Sequence, residues 1–383
     1  MNADGLAAWL VGQADAATPL RELFAAFCGR LSEAGLPLWR ATLGLETLDP
    51  EHTGWLLVWC DGELQPRPQY PRAGILVAPN YVNSPTRIVD ETDAPFRCRI
   101  EQDAGNMPLM LELRAGGATD YYMLPLPFLD RTRSSNMSFA TRRPGGFAEP
   151  ELAALVQAAK QLSPYAERVA MRRIAIEVLD SYVGSLAGQR VFDGQIERGE
   201  VRTIAAAIWC CDLRGFTALS EHLPRGEMVA LLNRWFDAVG DGIERNGGEI
   251  LKFMGDGLLA AFPVTDTADS ACDRAFDAAV AAVDNTERLN AELAAEGRQP
   301  LRFGIGLHIG EVAFGNIGTH NRLDFTVIGP AVNQASRLQD LTKTVGCAVV
   351  ASAAFADTCT RPMRRLGRHR LRGGDEPLEI CGL

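Results

Sequence analysis

The stretch GGEILKFMGDGLLAAF, at residues 247–262, decides the fold of the C-terminal half of the chain. Two strand-like runs, Glu249–Met254 and Gly257–Phe262, are joined only by Gly255 and Asp256, which is typical of a tight β-hairpin. A carboxylate between two glycines in such a turn lies close to the backbone and does not pack in a core. Asp256 is therefore the first candidate functional residue.

Strand and helix patterns alternate on both sides of this hairpin. The apolar run Thr203–Cys211 predicts a buried strand that ends immediately before a second acidic residue, Asp212. If this strand neighbours the hairpin, both carboxylates lie at one end of the sheet. We expect a sheet covered by helices on one face. The other predicted elements are a helix ending at Gly247, a helix over 266–296, strands over 302–312 and 324–328, and a helix over 330–343.

Composition limits the classes of partner. The 383 residues predict two to three domains, and a net charge of −10 argues against nucleic acid or an anionic membrane as the main partner. An acidic protein can still bind a triphosphate through metal ions. Nine cysteines without a CxxC pair indicate neither a disulfide framework nor a zinc site. With no signal-peptide pattern and no apolar run long enough to span a bilayer, we expect a cytoplasmic protein without a membrane span.

The two acidic residues together suggest a metal site. Mg²⁺ prefers oxygen ligands and is commonly held by one or two carboxylates together with substrate phosphates. Asp212 and Asp256 would supply those carboxylates. Taken singly, each is better explained as an ordinary turn aspartate, since such residues are common.

Four segments together resemble the catalytic domain of the class III nucleotidyl cyclases, the adenylate and guanylate cyclases, over residues 201–383. The resemblance implies a ferredoxin-like, palm-type α+β domain. It also implies conversion of ATP to 3′,5′-cyclic AMP and pyrophosphate, by attack of the 3′-hydroxyl on the α-phosphate. The segments are CDLRGFTALSE at 211–221, GGEILKFMGDGLLAAF at 247–262, RFGIGLHIGEVAFGNIG at 302–318 and LDFTVIGPAVNQASRL at 323–338.

The resemblance assigns the metal and triphosphate positions. Asp212 and Asp256 match the aspartates that bind two Mg²⁺ or Mn²⁺ ions, and the Leu213 carbonyl would be a further ligand. Phe216 and Thr217 lie where the loop of the family wraps the triphosphate.

The resemblance also assigns the base and ribose positions. Lys252 and Asp324 match the pair that reads the purine, and a lysine donor with a carboxylate acceptor fits adenine rather than guanine. Asn333 and Arg337 match the pair that orients the ribose and stabilises charge at the α-phosphate. Lys252 is equally explained as the solvated face of a strand, and Arg337 as the partner of Asp340.

Two further arginines match positions that bind the terminal phosphates. They are Arg302 and Arg372, and at the second position the family usually has lysine, whose ammonium differs in geometry from a guanidinium. Both arginines are equally explained as ordinary surface charges.

In the family the site lies between two catalytic domains, and this chain carries both sets of residues in one. The resemblance therefore implies a head-to-tail homodimer with ATP as its substrate. Two alternatives stay open. One is a catalytically silent nucleotide-binding scaffold, and the other is a guanylate cyclase.

The N-terminal part, residues 1–148, mixes helix and strand signals. Its stretches GGATDYYMLPLPF at 116–128 and NMSFATRRPGGFAEPEL at 136–152 resemble the last strands and exit helix of a GAF- or PAS-like sensory domain. This implies either a regulatory ligand of unknown identity or a dimerisation domain without a ligand.

Residues 149–200 read as a helical linker between the two domains. A seven-residue repeat predicts a coiled-coil seam, and Ser163-Pro164 predicts a break with Ser163 as the N-cap of a second helix. The alternative is an amphipathic helix lying on its own domain. The seam comprises Leu155, Ala158, Leu162, Tyr165, Val169, Arg172, Ile176, Leu179, Val183 and Leu186.

Overall fold

A β-sheet lies at the centre of each of the two units into which the chain divides, Met1–Ser181 and Tyr182–Leu383. The computed structural model describes residues 3–15, 18–66, 70–102, 104–129, 134–371 and 376–383. Within those ranges, no helix combines the length and the apolar character needed to cross a bilayer.

The described part of the first unit contains a six-stranded antiparallel sheet, in the order β3-β2-β1-β6-β5-β4. The strands are β1 Arg40–Glu46, β2 Gly54–Cys60, β3 Glu63–Gln65, β4 Phe96–Cys98, β5 Asp120–Pro125 and β6 Ser135–Thr141. The helices are α1 Ala3–Asp15, α2 Leu20–Glu33, α3 Pro79–Val82, α4 Pro85–Thr92, α5 Pro108–Ala115 and α6 Glu149–Val183, with a 3₁₀ turn at Ile75–Val77.

The two faces of this sheet differ in chemistry. Leu43 and Phe139 lie on the face that packs against Phe24 and Phe27 of α2 and Leu155 of α6, and all five are buried. Because side chains alternate along a strand, the neighbouring residues lie on the other face. That face carries several buried polar side chains.

A buried ion pair fixes the start of α6 on this unit. Asp120 is fully buried, and it accepts hydrogen bonds from the Arg97 guanidinium at 2.8 Å and from the Phe147 backbone N–H at 3.0 Å. Arg97 also donates to the Phe147 carbonyl and to Glu149, the first residue of α6. The pairing satisfies a carboxylate that would otherwise be costly to bury.

The linker prediction is partly wrong. α6 runs unbroken through Pro164, so Ser163 is a buried helical residue and not the N-cap of a second helix. Leu155 and Leu162 are buried in the first unit, as expected of an amphipathic helix lying on its own domain. The seam cannot continue to Leu186 in one helix, because Gly184 adopts φ +88° and ends α6. Self-pairing of the exposed middle of α6 stays a prediction.

The described part of the second unit contains an eight-stranded sheet in the order β13-β14-β12-β10-β7-β9-β8, with β11 paired to β10. The strands are β7 Val201–Leu213, β8 Glu249–Met254, β9 Gly257–Pro263, β10 Phe303–Gly318, β11 Leu323–Ile328, β12 Val349–Ser352, β13 Arg364–Arg370 and β14 Pro377–Gly382. The helices are α7 Ser185–Phe192, α8 Phe216–His222, α9 Arg225–Arg245, α10 Ala268–Ala295, α11 Pro330–Val345 and α12 Ala353–Thr358. The predicted hairpin and the predicted order of strands and helices are confirmed.

Helices cover both faces of this sheet, so the expectation of one covered face is wrong. One face packs against α9, α10 and α12 around Trp209 and Trp235, and the other packs against α7 and α11. Glycines on β10 make the second packing possible. A Cβ at Gly306 would lie 2.1 Å from the Ala335 carbonyl oxygen of α11, so a larger residue would displace the helix.

The short helix α7 lies within the segment predicted to be helical, but its packing on the second face of the sheet was not predicted. Ala187 is fully buried in the apolar cluster there, and its backbone N–H donates to Glu249 at 3.1 Å. The Arg190 guanidinium lies 5.0 Å from the ring centre of Phe314, a cation–π contact. The chain therefore packs directly onto the sheet before it enters β7.

We predict that Gly306→Ala destabilises the second unit by about 2 kcal/mol, because the added Cβ clashes with the Ala335 carbonyl. The matched control is Gly226→Ala in α9, where a Cβ has open space and helix propensity favours alanine by about 1 kcal/mol. Denaturant unfolding should shift in opposite directions for the two variants. Equal shifts would show that α11 does not depend on this close approach.

Candidate active site

The carboxylates of Asp212 and Asp256 meet at one end of the second sheet. Asp212 lies at the end of β7 and pairs in register with Gly257, the first residue of β9. Asp256 lies in the turn between β8 and β9, where Gly255 adopts φ +68°. A Cβ at Gly257 would lie 2.7 Å from the Cys211 carbonyl oxygen and 3.1 Å from Asp212 Oδ1, so glycine allows the hairpin to approach β7 closely.

The pKa of Asp212 reflects this convergence. It is raised to about 6, first by partial burial, and then by repulsion from the Asp256 charge and by a hydrogen bond with the Asp256 carboxyl. Lys343 acts in the opposite direction. Ionised Asp212 is therefore destabilised in the folded chain unless a cation approaches.

The arrangement fits a divalent cation. The two facing carboxylates provide negative charge that a metal ion would neutralise, and Mg²⁺ completes its ligands with water and phosphate oxygens. Among the residues that the structure describes, no cluster of three or more His, Cys, Asp or Glu side chains could form a fuller cage. A site with two carboxylates thus leaves most of the coordination sphere to a substrate and water.

A second polar pair lies on neighbouring elements of the same unit. Lys252 of β8 donates from Nζ to Asp324 Oδ2 of β11 at 2.6 Å, although the two residues are 72 positions apart in sequence. The hydrogen bond from Lys252 lowers the pKa of Asp324. Both side chains remain partly exposed, and the ammonium keeps two further donors while the carboxylate keeps Oδ1. Lys252 is thus not merely part of a solvated strand face.

The first turns of α11 present an amide and a cation. Asn333 is exposed and Arg337 is partly exposed, and a separation of four residues places them on one side of the helix. Asp340 pairs with Lys343 at 3.4 Å. Within the described part of the chain Arg337 has no hydrogen bond or ion pair, so its charge is available to a ligand.

An arginine that the sequence analysis did not single out ties the Asp212 loop to the far end of α11. Arg214 donates to the carbonyl oxygens of Thr342 and Cys347 at 2.9 and 3.1 Å. Carbonyls at a helix C-terminus lack helical partners and favour a cation. Asn333 lies nine residues before Thr342, which is about 14 Å along the helix axis. Asn333, the candidate ribose-binding residue, is thus distant from the end of α11 that contacts the loop of Asp212.

The remaining predicted residues differ in their surroundings. The Arg302 side chain is exposed, and its carbonyl accepts from the Arg214 N–H at 2.7 Å, so it lies beside the Asp212 loop. Leu213 is buried in the core, and Phe216 packs against the same core at the start of α8. Any contact of these two with a ligand would therefore be through the backbone. The Thr217 side chain and the whole of Arg372 lie outside the described residues.

Comparison with known proteins assigns this unit to a family. Residues 201–377 match the family model described as the adenylate and guanylate cyclase catalytic domain. The C-terminal part of the chain is therefore a class III cyclase catalytic domain. The family description includes both purine specificities.

Individual relatives match over about half of the chain. The adenylate cyclase of Anabaena cylindrica is 32% identical over 212 residues, which cover 53% of this chain and 41% of that protein. Adenylate cyclase 1 of Rhizobium meliloti is 34% identical over 173 residues, or 44% of this chain and 26% of that protein. A bacterial light-regulated adenylyl cyclase structure has a TM-score of 0.50 and 27% identity, covering 58% of this chain and 64% of that one. The chain thus spans less than half the length of these two curated relatives.

We predict that Asp256→Asn stabilises the metal-free protein by up to about 1 kcal/mol at pH 7.5, after allowing for solvent screening. Because the pKa of Asp212 is raised in the folded chain, ionisation of Asp212 lowers the free energy of unfolding as the pH rises from about 4 to about 6. The stability gained by Asp256→Asn is therefore present above pH 6 and absent below pH 4.

Thermal unfolding at several pH values, with and without Mn²⁺, measures this effect. Asp284→Asn, an exposed aspartate of α10, is the control and should change little. With Mn²⁺ present, the wild-type chain should gain more stability than Asp256→Asn. If the stability gained by Asp256→Asn did not depend on pH, or if Mn²⁺ stabilised both proteins equally, the result would contradict a close approach of the two carboxylates.

Proposed function

We propose that the protein is an adenylate cyclase that converts ATP to 3′,5′-cyclic AMP and pyrophosphate. The contact between Lys252 and Asp324 is the observation that carries the adenine specificity. The lysine offers a donor to adenine N1, and the carboxylate offers an acceptor to the adenine amino group. Guanine presents the opposite groups at both atoms, so it would leave both side chains unpaired.

Charge neutralisation is the other task of the site, since the transferred phosphorus carries negative oxygens. Asp212 and Asp256 would hold two Mg²⁺ or Mn²⁺ ions, which when bound would lower the pKa of the 3′-hydroxyl and neutralise the triphosphate. Arg337 would stabilise charge at the α-phosphate, and Asn333 would orient the ribose. No described residue pairs with the Arg337 guanidinium, which supports this role.

Two arginines would contact the terminal phosphates. Arg302 lies beside this loop with an exposed side chain, which supports its assignment. Arg372 is proposed from the resemblance alone. The Leu213 carbonyl and the backbone at Phe216 and Thr217 would complete the contacts around the metal ions and the triphosphate.

A head-to-tail homodimer would bring these groups together. Arg214 holds the C-terminal end of α11 at the loop of Asp212, while Asn333 lies about 14 Å away along the helix. We propose that the Asn333 and Arg337 of one chain serve the carboxylates of its partner. Two equivalent sites would result.

The direct test is product formation by the purified full chain with ATP or GTP in the presence of Mn²⁺. We expect cyclic AMP from ATP and little cyclic GMP. Cyclic GMP as the main product would identify a guanylate cyclase. Nucleotide binding without either product would identify a silent scaffold.

We predict that Lys252→Ala lowers kcat/KM for ATP by about 10- to 100-fold, since it removes a charged hydrogen-bond donor to the base. The ratio of ATP to GTP turnover should fall as well. Lys160→Ala, at an exposed position of α6, is the matched control and should leave both rates unchanged. An unchanged ATP to GTP ratio in Lys252→Ala would contradict the purine-reading role.

A further inference from the structure

A cavity of about 970 Å³ lies in the first unit, over the sheet face opposite α2 and α6. The strand residues Arg40 and Thr42 of β1 and Ser138 of β6 line it, whereas Leu43 and Phe139 lie on the apolar face. The strict alternation of side chains thus separates a packed core face from a cavity face. Its volume is at the upper end of the range typical of small-molecule sites.

The floor of this cavity is both buried and polar. Thr42, Asn136 and Ser138 are 5%, 6% and 2% exposed. Burying polar groups costs free energy unless they are hydrogen-bonded, and Thr42 and Ser138 pair through their hydroxyls at 2.6 Å. If this face of the sheet only had to be covered by helices, we would expect its side chains to be as apolar as those of the opposite face. A polar floor of this kind suits an occupant that forms hydrogen bonds.

Asn136 is positioned to bind that occupant. Its Nδ2 donates to Ser134 Oγ at 3.3 Å, and no described residue donates to its Oδ1. Gly44 lies opposite in register, and a Cβ there would lie 2.8 Å from Asn136 Oδ1. Glycine at this position therefore lets the carboxamide lie across β1 with one N–H and the oxygen available. Such an edge pairs with a neighbouring donor and acceptor on a ligand, as asparagine does with adenine.

The charge of the lining argues against an anionic ligand. Among the described lining residues, the carboxylates of Glu46, Asp90 and Glu112 outnumber the guanidinium of Arg40. Asp90 accepts hydrogen bonds from Ser134 and Tyr81. Phosphate groups would be repelled by such a surface. The apolar and aromatic part of the lining, which would contact the body of a ligand, includes Tyr70, Tyr81, Leu109 and Met123.

We propose that this cavity is a binding site for a small uncharged heterocycle that carries adjacent hydrogen-bond donor and acceptor groups, of the nucleobase or nicotinamide type. Asn136 reads that edge, and the oxygen lone pairs that Thr42 and Ser138 keep after pairing with each other accept hydrogen bonds from further donors of the ligand. The site is independent of the proposed cyclase chemistry, since every residue that carries it belongs to the first unit.

The test uses the full chain carrying Lys252→Ala and Asp324→Ala, which weakens purine binding at the catalytic site. Adenine, cytosine, uracil and nicotinamide are the probes, and binding is measured by saturation-transfer NMR and titration calorimetry. We expect at least one probe to bind at millimolar concentration or below. Asn136→Asp should weaken that binding about tenfold, since it replaces a donor by a charged acceptor. Asn106→Asp, at an exposed position of the same unit, is the matched control.

A second variant protects the test against misfolding. Gly44→Ala should weaken binding similarly by displacing the Asn136 carboxamide, and thermal unfolding shows whether each variant is folded. Binding of none of the four probes overturns the proposal, and so does binding that both folded variants leave unchanged. Tighter binding of adenosine monophosphate than of adenosine in the same background would overturn the uncharged class of ligand.

Discussion

The close approach of the β8–β9 hairpin to the end of β7 is the constraint on which the site depends. Gly257 pairs with Asp212, and a side chain there would collide with the Cys211 carbonyl. This contact brings Asp212 and Asp256 together, and burial, followed by repulsion from the Asp256 charge, raises the pKa of Asp212 to about 6. Folding energy elsewhere in the unit thus maintains an electrostatic repulsion that a divalent cation would relieve.

Close helix packing on the other face has a related consequence. Gly306 lets α11 lie against β10, and Arg214 then fixes the C-terminal end of α11 at the loop of Asp212. Asn333, in the first turn of the helix, lies about 14 Å along the helix axis from the end that Arg214 holds. This distance supports our proposal that a second copy of the chain supplies Asn333 and Arg337 to the carboxylates.

Local patterns predicted most of the second unit. The hairpin at 255–256, the strand before Asp212 and the helix beginning at Pro330 follow from glycine punctuation and apolar periodicity. The contact between Lys252 and Asp324 could be predicted only through the family resemblance, since it joins strands 72 residues apart. Local sequence gave no signal for it.

Three features escaped sequence reasoning for physical reasons. Pro164 lies inside α6, because tertiary packing of the apolar stripe overrides the local preference of proline. The packing of helices on both faces of the second sheet depends on how closely the backbone of α11 approaches Gly306 of β10. Apolar periodicity in the sequence does not encode such a distance. The polar cavity of the first unit is formed by residues from distant strands, so no single stretch of sequence reveals it.

Complementation between two inactive chains tests the shared site most directly. Asp212→Ala and Arg337→Ala chains with different affinity tags would be mixed, and exchange would be shown by co-purification of both tags. The account predicts that each variant alone is inactive and that mixed dimers regain cyclic AMP synthesis, because one of their two sites is intact. Mixed dimers that form but stay inactive would contradict a site built from two chains.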